Sequence, residues 1–475
     1  MTRPVRFSRS GLASKGRRYQ QGQALIYGIF VMMGGLAALF FLFNTGQLTR
    51  EKTKLVNTAD AVAYSAGVMN ARALNFEAYT NRAMLANTVA IAQLVSLSSW
   101  VQYTNTLANY GYVVYNPKFV TFYPSYYGAL YSGNYLQQYL IDNDALKDLA
   151  EASDTIIQKV LMNAQQVAYA GLIPARQKVM DDVARANYNN DGVVIVDTVP
   201  LTVNEFTSFV TRYSGDDRTR FAEVAKTSAN LDGFVPKRSW LLPGLWSDCG
   251  GATASGRVDF LTRRGGTELL GFDEWKAMDT LSEKRWVPKN KTDVLCQALA
   301  ETPAGWGLQA ALPQNSSDTP DLDPTHYDYS LPVNPSSSGL AMVMSSTTWD
   351  YSGIPSFYDL SADALKQDDP RLQFAIRVRR DTTQTVTSEG RSAITSTPRL
   401  NAYHAQPAGG NELVAVSASE VFFQRPADAR DNQYGQSIGK PREIGSLFNP
   451  YWQVHLIQSP DNIRKAQAMQ GAVLP

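Results

Sequence analysis

Twenty consecutive residues near the start of the chain, Ala24 to Phe43, contain no strongly polar side chain and read ALIYGIFVMMGGLAALFFLF. No charged residue occurs between Arg18 and Arg50. In an α-helix that rises about 1.5 Å per residue, twenty residues extend about 30 Å, the thickness of the hydrocarbon core of a bilayer. The segment therefore predicts a transmembrane helix over residues 23–43.

The residues before this segment predict its orientation. Residues 1–18 carry six basic side chains and no acidic one, which places a leader of residues 1–22 in the cytoplasm and the rest of the chain across the membrane. A cleaved signal peptide is the alternative, but Asn44-Thr45-Gly46-Gln47 follows without a small-x-small cleavage site. We therefore expect a retained, single-pass anchor, with the bulk of the protein on the far side of the membrane.

The helix is predicted to continue well beyond the membrane, because no proline occurs between Pro4 and Pro117. Apolar residues then follow a heptad spacing that predicts a helix-packing seam, with Gly67 as the expected position of a kink. Six residues define its centre: Ala59, Val62, Ala66, Met69, Ala73 and Phe76. Its partner is equally a helix at 136–170 of the same chain or a helix of another subunit. Gly171 is expected to end that helix, and Pro174 to open the next one.

A second charge-free stretch, residues 83–117, raises the question of a second membrane span. It contains several amide and hydroxyl side chains, which are costly in lipid, and no basic cluster follows it. We interpret it as a helix buried in protein, with membrane contact as the alternative.

The distal half has a different residue pattern, with short candidate strands and helices, which predicts a mixed α+β domain. Strands are expected near 193–199, 257–261, 372–378, 413–423 and 452–457, with helices near 219–230, 272–284 and 361–367. The predicted fold class is thus α+β: a transmembrane helix that continues into a long helix and helical bundle, followed by a mixed α/β periplasmic domain. The predicted units are residues 1–22, 23–43, 44–190 and 191–475, with a Pro/Ser/Asp-rich loop at 302–338.

The composition gives little support to catalysis or to nucleic-acid binding. A net charge of +1 offers no electrostatic attraction for nucleic acid, and the three histidines are far apart. No motif for phosphate, zinc or a nucleophile is present, so we predict no catalytic, cofactor-binding or metal-binding residue. Cys249 and Cys296 are candidates for a disulfide if the domain is exported, and buried free thiols are the alternative.

The segment from Gln21 to about Leu85 resembles the N-terminal region of the TadE/TadG-like family of Flp-type (tight-adherence) pilus assembly. The resemblance rests on the basic leader, on Gly22-Gln23-Ala24 at the start of the apolar helix, and on Ala59-Asp60-Ala61. The ending NPYWQVHLIQSP is similar to the C-terminal part of larger TadG-like proteins. The resemblance implies a membrane-anchored, non-enzymatic pilus-assembly component. Its partners would be the inner membrane and other pilus subunits or copies of itself.

One position departs from the family pattern. Processed pilins and pseudopilins usually carry glutamate at the fifth position after the cleaved glycine, and here that position is Tyr27. Processing between Gly22 and Gln23 is therefore not expected. The alternative function is a membrane-tethered periplasmic enzyme or ligand-binding protein whose site is too scattered to recognise in the sequence.

Overall fold

The computed structural model describes most of the chain outside its leader. The described residues are 21–109, 132–189, 191–199, 205–236, 238–246, 258–291, 296–313, 334–344, 348–387, 390–391, 412–425, 445–458 and 460–469. The helices are α1 (Gln21–Asn109), α2 (Ala145–Thr155), α3 (Met162–Asn187), α4 (Phe206–Phe209), α5 (Thr219–Asn230), α6 (Pro335–Met344), α7 (Ala362–Leu365) and α8 (Pro460–Met469).

The strands of the described residues form two sheets and two short pairs. They are β1 (Ile195–Val199), β2 (Val210–Tyr213), β3 (Trp240–Trp246), β4 (Val258–Leu270), β5 (Glu274–Pro288), β6 (Cys296–Leu312), β7 (Trp349–Asp350), β8 (Phe357–Leu360), β9 (Leu372–Asp381), β10 (Val386–Thr387), β11 (Gly390–Arg391), β12 (Glu412–Phe423) and β13 (Trp452–Ile457). β2 pairs with β8, and β10 pairs with β11.

Helix α1 is 89 residues long and therefore extends about 130 Å. It runs without interruption from the apolar segment into the folded part of the chain. Gly67 was expected to kink or break the helix; helix geometry continues through that residue, so no break occurs there, and the kink stays a prediction. The predicted continuation of the helix beyond the apolar segment is confirmed as far as residue 109, and residues 110–117 lie outside the described part.

Helix α3 returns along α1. A short π-helical segment, Ile156–Leu161, joins α2 to α3, so the backbone coils without a break from 145 to 187. Gly171 and Pro174 both lie inside α3, and the helix end predicted at Gly171 is wrong. Glycine ends a helix when it takes a left-handed conformation, and Gly171 does not take one here.

A four-stranded antiparallel sheet covers the first part of α1 beyond the apolar segment. Its strand order is β1-β9-β12-β13. One face packs on α1 and α3, where Val62 and Met180 meet Ile376 and Ala415. The other face packs on α8 through Ala466. Alternate strand residues therefore enter two separate apolar layers.

A five-stranded sheet covers the last part of α1. Its order is β3-β4-β5-β6-β7, antiparallel except for the parallel pair β6–β7. Leu281 and Ala304 pack against Tyr103 and Leu107 of α1. Met278, Trp306 and Leu308 on the opposite face pack against α6. The central strands are buried on both faces.

Two expectations for the distal half are corrected by this sheet. Residues 272–284, predicted as a helix, belong mainly to β5, whose residues from Trp275 to Ser282 are all buried. A strand buried on both faces loses the alternation by which strands are recognised. The loop predicted at 302–338 is wrong at both ends, since 302–312 lie in β6 and 335–338 in α6. Residues 314–333 lie outside the described part.

The architecture is α+β, as predicted, with a long apolar helix at its N-terminal end. The predicted division of the chain at residue 190 stays a prediction. Core clusters contain residues from both sides of it: Ala59 and Ala184 pack with Phe374 and Leu413 around a common centre. Helix α1 is thus a shared core element of the described fold.

Candidate functional site: the apolar helix and its attachment to the sheets

Every side chain of the apolar segment from Ala24 to Phe43 is exposed. Tyr27 and Val31 have exposed fractions of 72% and 75%. The most apolar window of this helix has a mean hydropathy of 2.3 and no buried residue. Soluble monomers rarely expose so large an apolar surface, because the hydrophobic effect opposes its hydration. This segment is long and apolar enough to cross a membrane, and the rest of the described chain does not cover it.

The candidate processing site lies at the beginning of this helix. Gly22 and Gln23 are in the first turn of α1, directly before the exposed apolar surface. Retention of the leader stays a prediction. The basic residues 1–18 lie outside the described part of the chain.

The Ala59-Asp60-Ala61 element attaches α1 to the four-stranded sheet. Ala59 is fully buried in the cluster between α1, α3 and the sheet. Asp60 accepts a hydrogen bond of 2.7 Å from the hydroxyl of Ser417 in β12. The small side chain of Ala59 permits close approach of α1 to the sheet. The carboxylate of Asp60 fixes the position of α1 along β12.

Gly67 marks the closest crossing of α1 over the sheet. A Cβ atom at this position would lie 2.5 Å from Cγ2 of Val454 and 2.7 Å from Oγ of Ser419. Only glycine allows the helix backbone to approach β12 and β13 so closely. The absence of a side chain at Gly67 therefore makes room for the sheet.

Two asparagines of α1 bind backbone groups of the distal half. The Nδ2 group of Asn75 donates to the carbonyl oxygen of Trp452 at 2.9 Å, and its Oδ1 accepts from the amide of Trp452 at 3.0 Å. Asn81 donates to the carbonyl oxygens of Tyr358 and Leu447. The C-terminal segment NPYWQVHLIQSP therefore lies against the helix that follows the apolar segment. The sequence analysis missed these residues, although asparagine inside a long helix is a usable signal because its helix propensity is low.

The six seam residues are not equally buried. Ala59, Val62 and Ala66 are fully buried, whereas Met69 and Ala73 are partly buried and Phe76 is 40% exposed. The buried residues recur every eleven positions instead of every seven. One such series is Leu55, Ala66, Glu77, Thr88 and Ser99, and another is Ala59, Asn70, Asn81, Ala92 and Tyr103.

The spacing of eleven residues instead of seven has a simple geometric cause. A straight α-helix has about 3.6 residues per turn, so a strict heptad rotates by about 20° per repeat away from a fixed face. The predicted seam follows the apolar residues and therefore leaves the buried face after Ala66. The buried partners lie in the same chain, namely α3 and the sheets. The series also shows that polar residues such as Asn70 and Glu77 belong to the buried face.

Glu77 lies in the interior between α1, α3 and β8, with an exposed fraction of 1%. Its Oε2 atom has no hydrogen-bond partner among the described residues. Burial raises the pKa of Glu77 to about 8. The stacked rings of Tyr169 and Tyr358, with centroids 4.6 Å apart, belong to the same region. Glu77 is therefore mainly protonated at neutral pH.

A buried ionic cluster joins the far end of α1 to the five-stranded sheet. Asp279 of β5 is fully buried and forms ion pairs with Arg238 at 2.8 Å and Arg263 at 2.9 Å. Ser99 of α1 also donates to Asp279 at 2.9 Å. Burial alone would raise the pKa of Asp279, but the two arginines lower it below its ordinary value. The two arginines and Ser99 therefore hold the Asp279 carboxylate where α1 meets the five-stranded sheet.

Among the described residues, no group of three or more histidine, cysteine, aspartate or glutamate side chains is placed to hold a metal ion. Cys249 lies outside the described residues, so its pairing with Cys296 of β6 stays a prediction.

The exposed apolar helix and the Ala-Asp-Ala attachment together correspond to a known family. Residues 22–73 match the family described as putative Flp pilus-assembly TadE/G-like. The match confirms the resemblance predicted for the N-terminal region and indicates a protein associated with Flp pilus assembly. It covers roughly a ninth of the chain. No curated protein and no solved structure matches the chain significantly.

The matched segment corresponds to a definite part of α1. It begins at the start of the apolar helix and ends just after Gly67, where α1 crosses the four-stranded sheet. The TadE/G-like region is thus the exposed apolar helix together with its first attachment to the fold. The remaining elements extend this attachment along α1.

Proposed function

We propose that this protein is a membrane-anchored, non-enzymatic structural or assembly component of a Flp-type pilus system. Residues 24–43 are the anchor, the N-terminus lies in the cytoplasm, and the folded part lies in the periplasm. The observation that carries the proposal is that the TadE/G-like match coincides with an uncovered apolar helix. The six basic residues before the anchor support the orientation.

The mechanism follows from the continuity of α1. No break separates the anchor from the helix that forms the core of the folded part. The four-stranded sheet holds α1 through Asp60, Gly67 and Asn75. A rotation or shift of the anchor among other membrane helices would therefore be transmitted to the periplasmic surface. The partners are other pilus-assembly subunits or copies of this chain, which would contact the anchor.

A deletion strain tests the function. Loss of the protein should abolish surface piliation, and the unaltered chain should restore it. A chain in which residues 24–43 are replaced by an unrelated leucine-alanine span of equal length should remain in the membrane but restore fewer pili. Normal piliation in the deletion strain would overturn the proposal.

Insertions after Gly46 test the coupling. One extra residue turns the anchor by about 100° relative to the folded part, whereas eleven residues restore the phase to within about 20°. We expect the single insertion to reduce piliation and co-purification of pilus subunits more strongly than the insertion of eleven residues. Equal activity of both variants would show that the two parts are not rigidly coupled.

A further inference from the structure

A polar groove of about 630 Å³ lies on α1 directly beyond the apolar segment. Asn187, at the end of α3, lines its other side. Six lining residues lie within one arc of α1: Gly46, Thr49, Arg50, Thr53, Lys54 and Asn57. The groove therefore presents two cations, hydroxyl groups and an amide on the face where the helix leaves the apolar segment.

The two cations have no carboxylate partner within the described part of the chain. Arg50 is exposed, and neither Arg50 nor Lys54 forms an ion pair with an acidic side chain among the described residues. The Nζ atom of Lys54 lies over the ring of Tyr188, 4.1 Å from its centroid. A ring face holds an ammonium group without neutralising its charge.

Two acidic side chains of the described part, Glu51 and Asp191, face Arg380. Glu51 is only 18% exposed, and its Oε2 atom lies 3.9 Å from Nε of Arg380. Asp191 lies 3.8 Å from Nη2 of the same arginine. Arg380 is buried behind Tyr188, with its guanidinium carbon 4.3 Å from the ring centroid. The two carboxylates exceed the charge of Arg380 by one, so together with Arg50 and Lys54 these groups carry a net charge of about +1.

The end of the groove nearest the apolar segment lies close to the headgroup layer of a bilayer. Arg50 is seven residues beyond Phe43, or about 10 Å along the helix. The polar layer on each side of the hydrocarbon core is about 5–8 Å thick. Helical side chains lean toward the N-terminus of their helix, so Arg50 and Lys54 extend back toward the membrane. A Cβ atom at Gly46 would meet no atom within 4 Å, which leaves space between these cations and the bilayer.

We propose that this groove binds the phosphate headgroup of an anionic phospholipid from the adjacent leaflet. Arginine and lysine are the side chains that recognise phosphate, and each basic residue near a membrane surface favours anionic lipid. The inference rests on the membrane anchoring proposed above, and it adds that the bound lipid fixes the height and rotation of α1.

Native mass spectrometry of the full chain tests the proposal. The protein is purified in detergent and mixed with equal amounts of phosphatidylcholine and phosphatidylglycerol, and the retained lipids are counted. The unaltered chain should retain phosphatidylglycerol preferentially. The double variant Arg50→Gln/Lys54→Gln should lose this preference roughly 30-fold, at about 1 kcal/mol per basic residue. The control Arg82→Gln/Lys147→Gln removes the same charge far along the fold and should leave the preference unchanged.

A third variant distinguishes lipid binding in the groove from general electrostatic attraction by the two cations. Gly46→Leu fills the space and keeps both cations, so we expect a clear loss of phosphatidylglycerol preference. An unchanged preference in this variant, or equal losses in the two double variants, would overturn the proposal. Displacement of phosphatidylglycerol by millimolar inorganic phosphate would show that free phosphate, and not lipid, is the ligand.

Failure of the anchoring gives a different result. A chain that does not incorporate into phosphatidylcholine nanodiscs would overturn both proposals. A chain that incorporates but retains the two lipids equally would overturn only the headgroup site.

Discussion

Glu77 links the stability of the fold to pH. Its pKa is raised by burial to about 8 in the folded state, against 4.5 for an unperturbed group. Between these values the unfolded chain releases a proton that the folded chain keeps, so the free energy of unfolding falls as pH rises. We predict that Glu77→Gln abolishes this fall and is more stable than the unaltered chain at pH 8. Because one pKa unit corresponds to about 1.4 kcal/mol, the gain is up to about 5 kcal/mol.

Chemical denaturation of the full chain in detergent at pH 5 and pH 8 measures this effect. The matched control is Asp148→Asn, since Asp148 is an exposed acid on α2. The control should keep the pH dependence of the unaltered chain. Identical pH dependence in Glu77→Gln and the unaltered chain would refute the assignment.

The buried face of α1 could be predicted from the sequence only in part. An apolar pattern indicates the buried face only while that face is apolar, which holds for Ala59, Val62 and Ala66. Further along, the buried positions are held by Asn70, Glu77 and other polar residues, whose partners come from distant strands. Hydrogen bonds such as that between Asn75 and Trp452 join residues 377 positions apart and have no local signal.

At the scale of elements, the crossing of α1 over the four-stranded sheet gives a sharp prediction. Gly67→Ala improves helix propensity but places a methyl group 2.5 Å from Val454. We expect a net loss of roughly 1–3 kcal/mol in the free energy of unfolding, because overpacking outweighs propensity. Gly171→Ala in α3 is the control, since its Cβ atom meets nothing within 4 Å. It should stabilise by roughly 0.5–1 kcal/mol, and the opposite order of the two variants would contradict the packing described.

One-sided burial made some elements predictable, although β12, which is buried on both faces, was also predicted at 413–423. Thr219–Asn230 buries only one helical face, and the predicted helix agrees with α5. The strand at 452–457 lies at a sheet edge and agrees with β13. β5 could not be recognised, because α1 and α6 cover its two faces and remove the alternation of polar and apolar residues. The helix end predicted at Gly171 and the helix start predicted at Pro174 were wrong, because a helix supported by tertiary packing tolerates both residues.

At the scale of the whole molecule, orientation in the membrane is the first consequence to test. The six basic residues before Ala24 predict a single pass with the folded part outside the cytoplasm. Reporter fusions at Asn143 and Gly339 should both be active only in the periplasm. Cytoplasmic activity of both fusions would require a second span and would contradict the burial of residues 83–108 inside the fold.

Export also bears on the two cysteines. In an oxidising compartment, Cys249 and Cys296 are expected to form a disulfide, which stabilises by about 4 kcal/mol in the chain-entropy model. Peptide mapping of membrane-derived protein without reductant should recover the linked peptide. Recovery of two free thiols would remove this argument for export.

The association of distant parts of the chain could not be predicted from the sequence. The change from a helical to a strand-like residue pattern near residue 190 suggested separate structural units. The distal strands nevertheless pack on α1. The apolar segment itself was predictable, because twenty uncharged residues have few structural alternatives in water. The central claim is that one helix serves as membrane anchor and as core of the fold.

Alkaline extraction of membranes tests this claim most directly. The full-length chain should remain in the membrane pellet, because residues 24–43 are uncovered in the fold and continuous with its core. The variant Phe30→Asp/Met33→Asp/Leu36→Asp, which places three charges on the same exposed surface, should move to the supernatant with its sheets intact. Recovery of the unaltered chain in the soluble fraction would contradict the account, because the segment would then be a removed signal or a surface covered by protein alone.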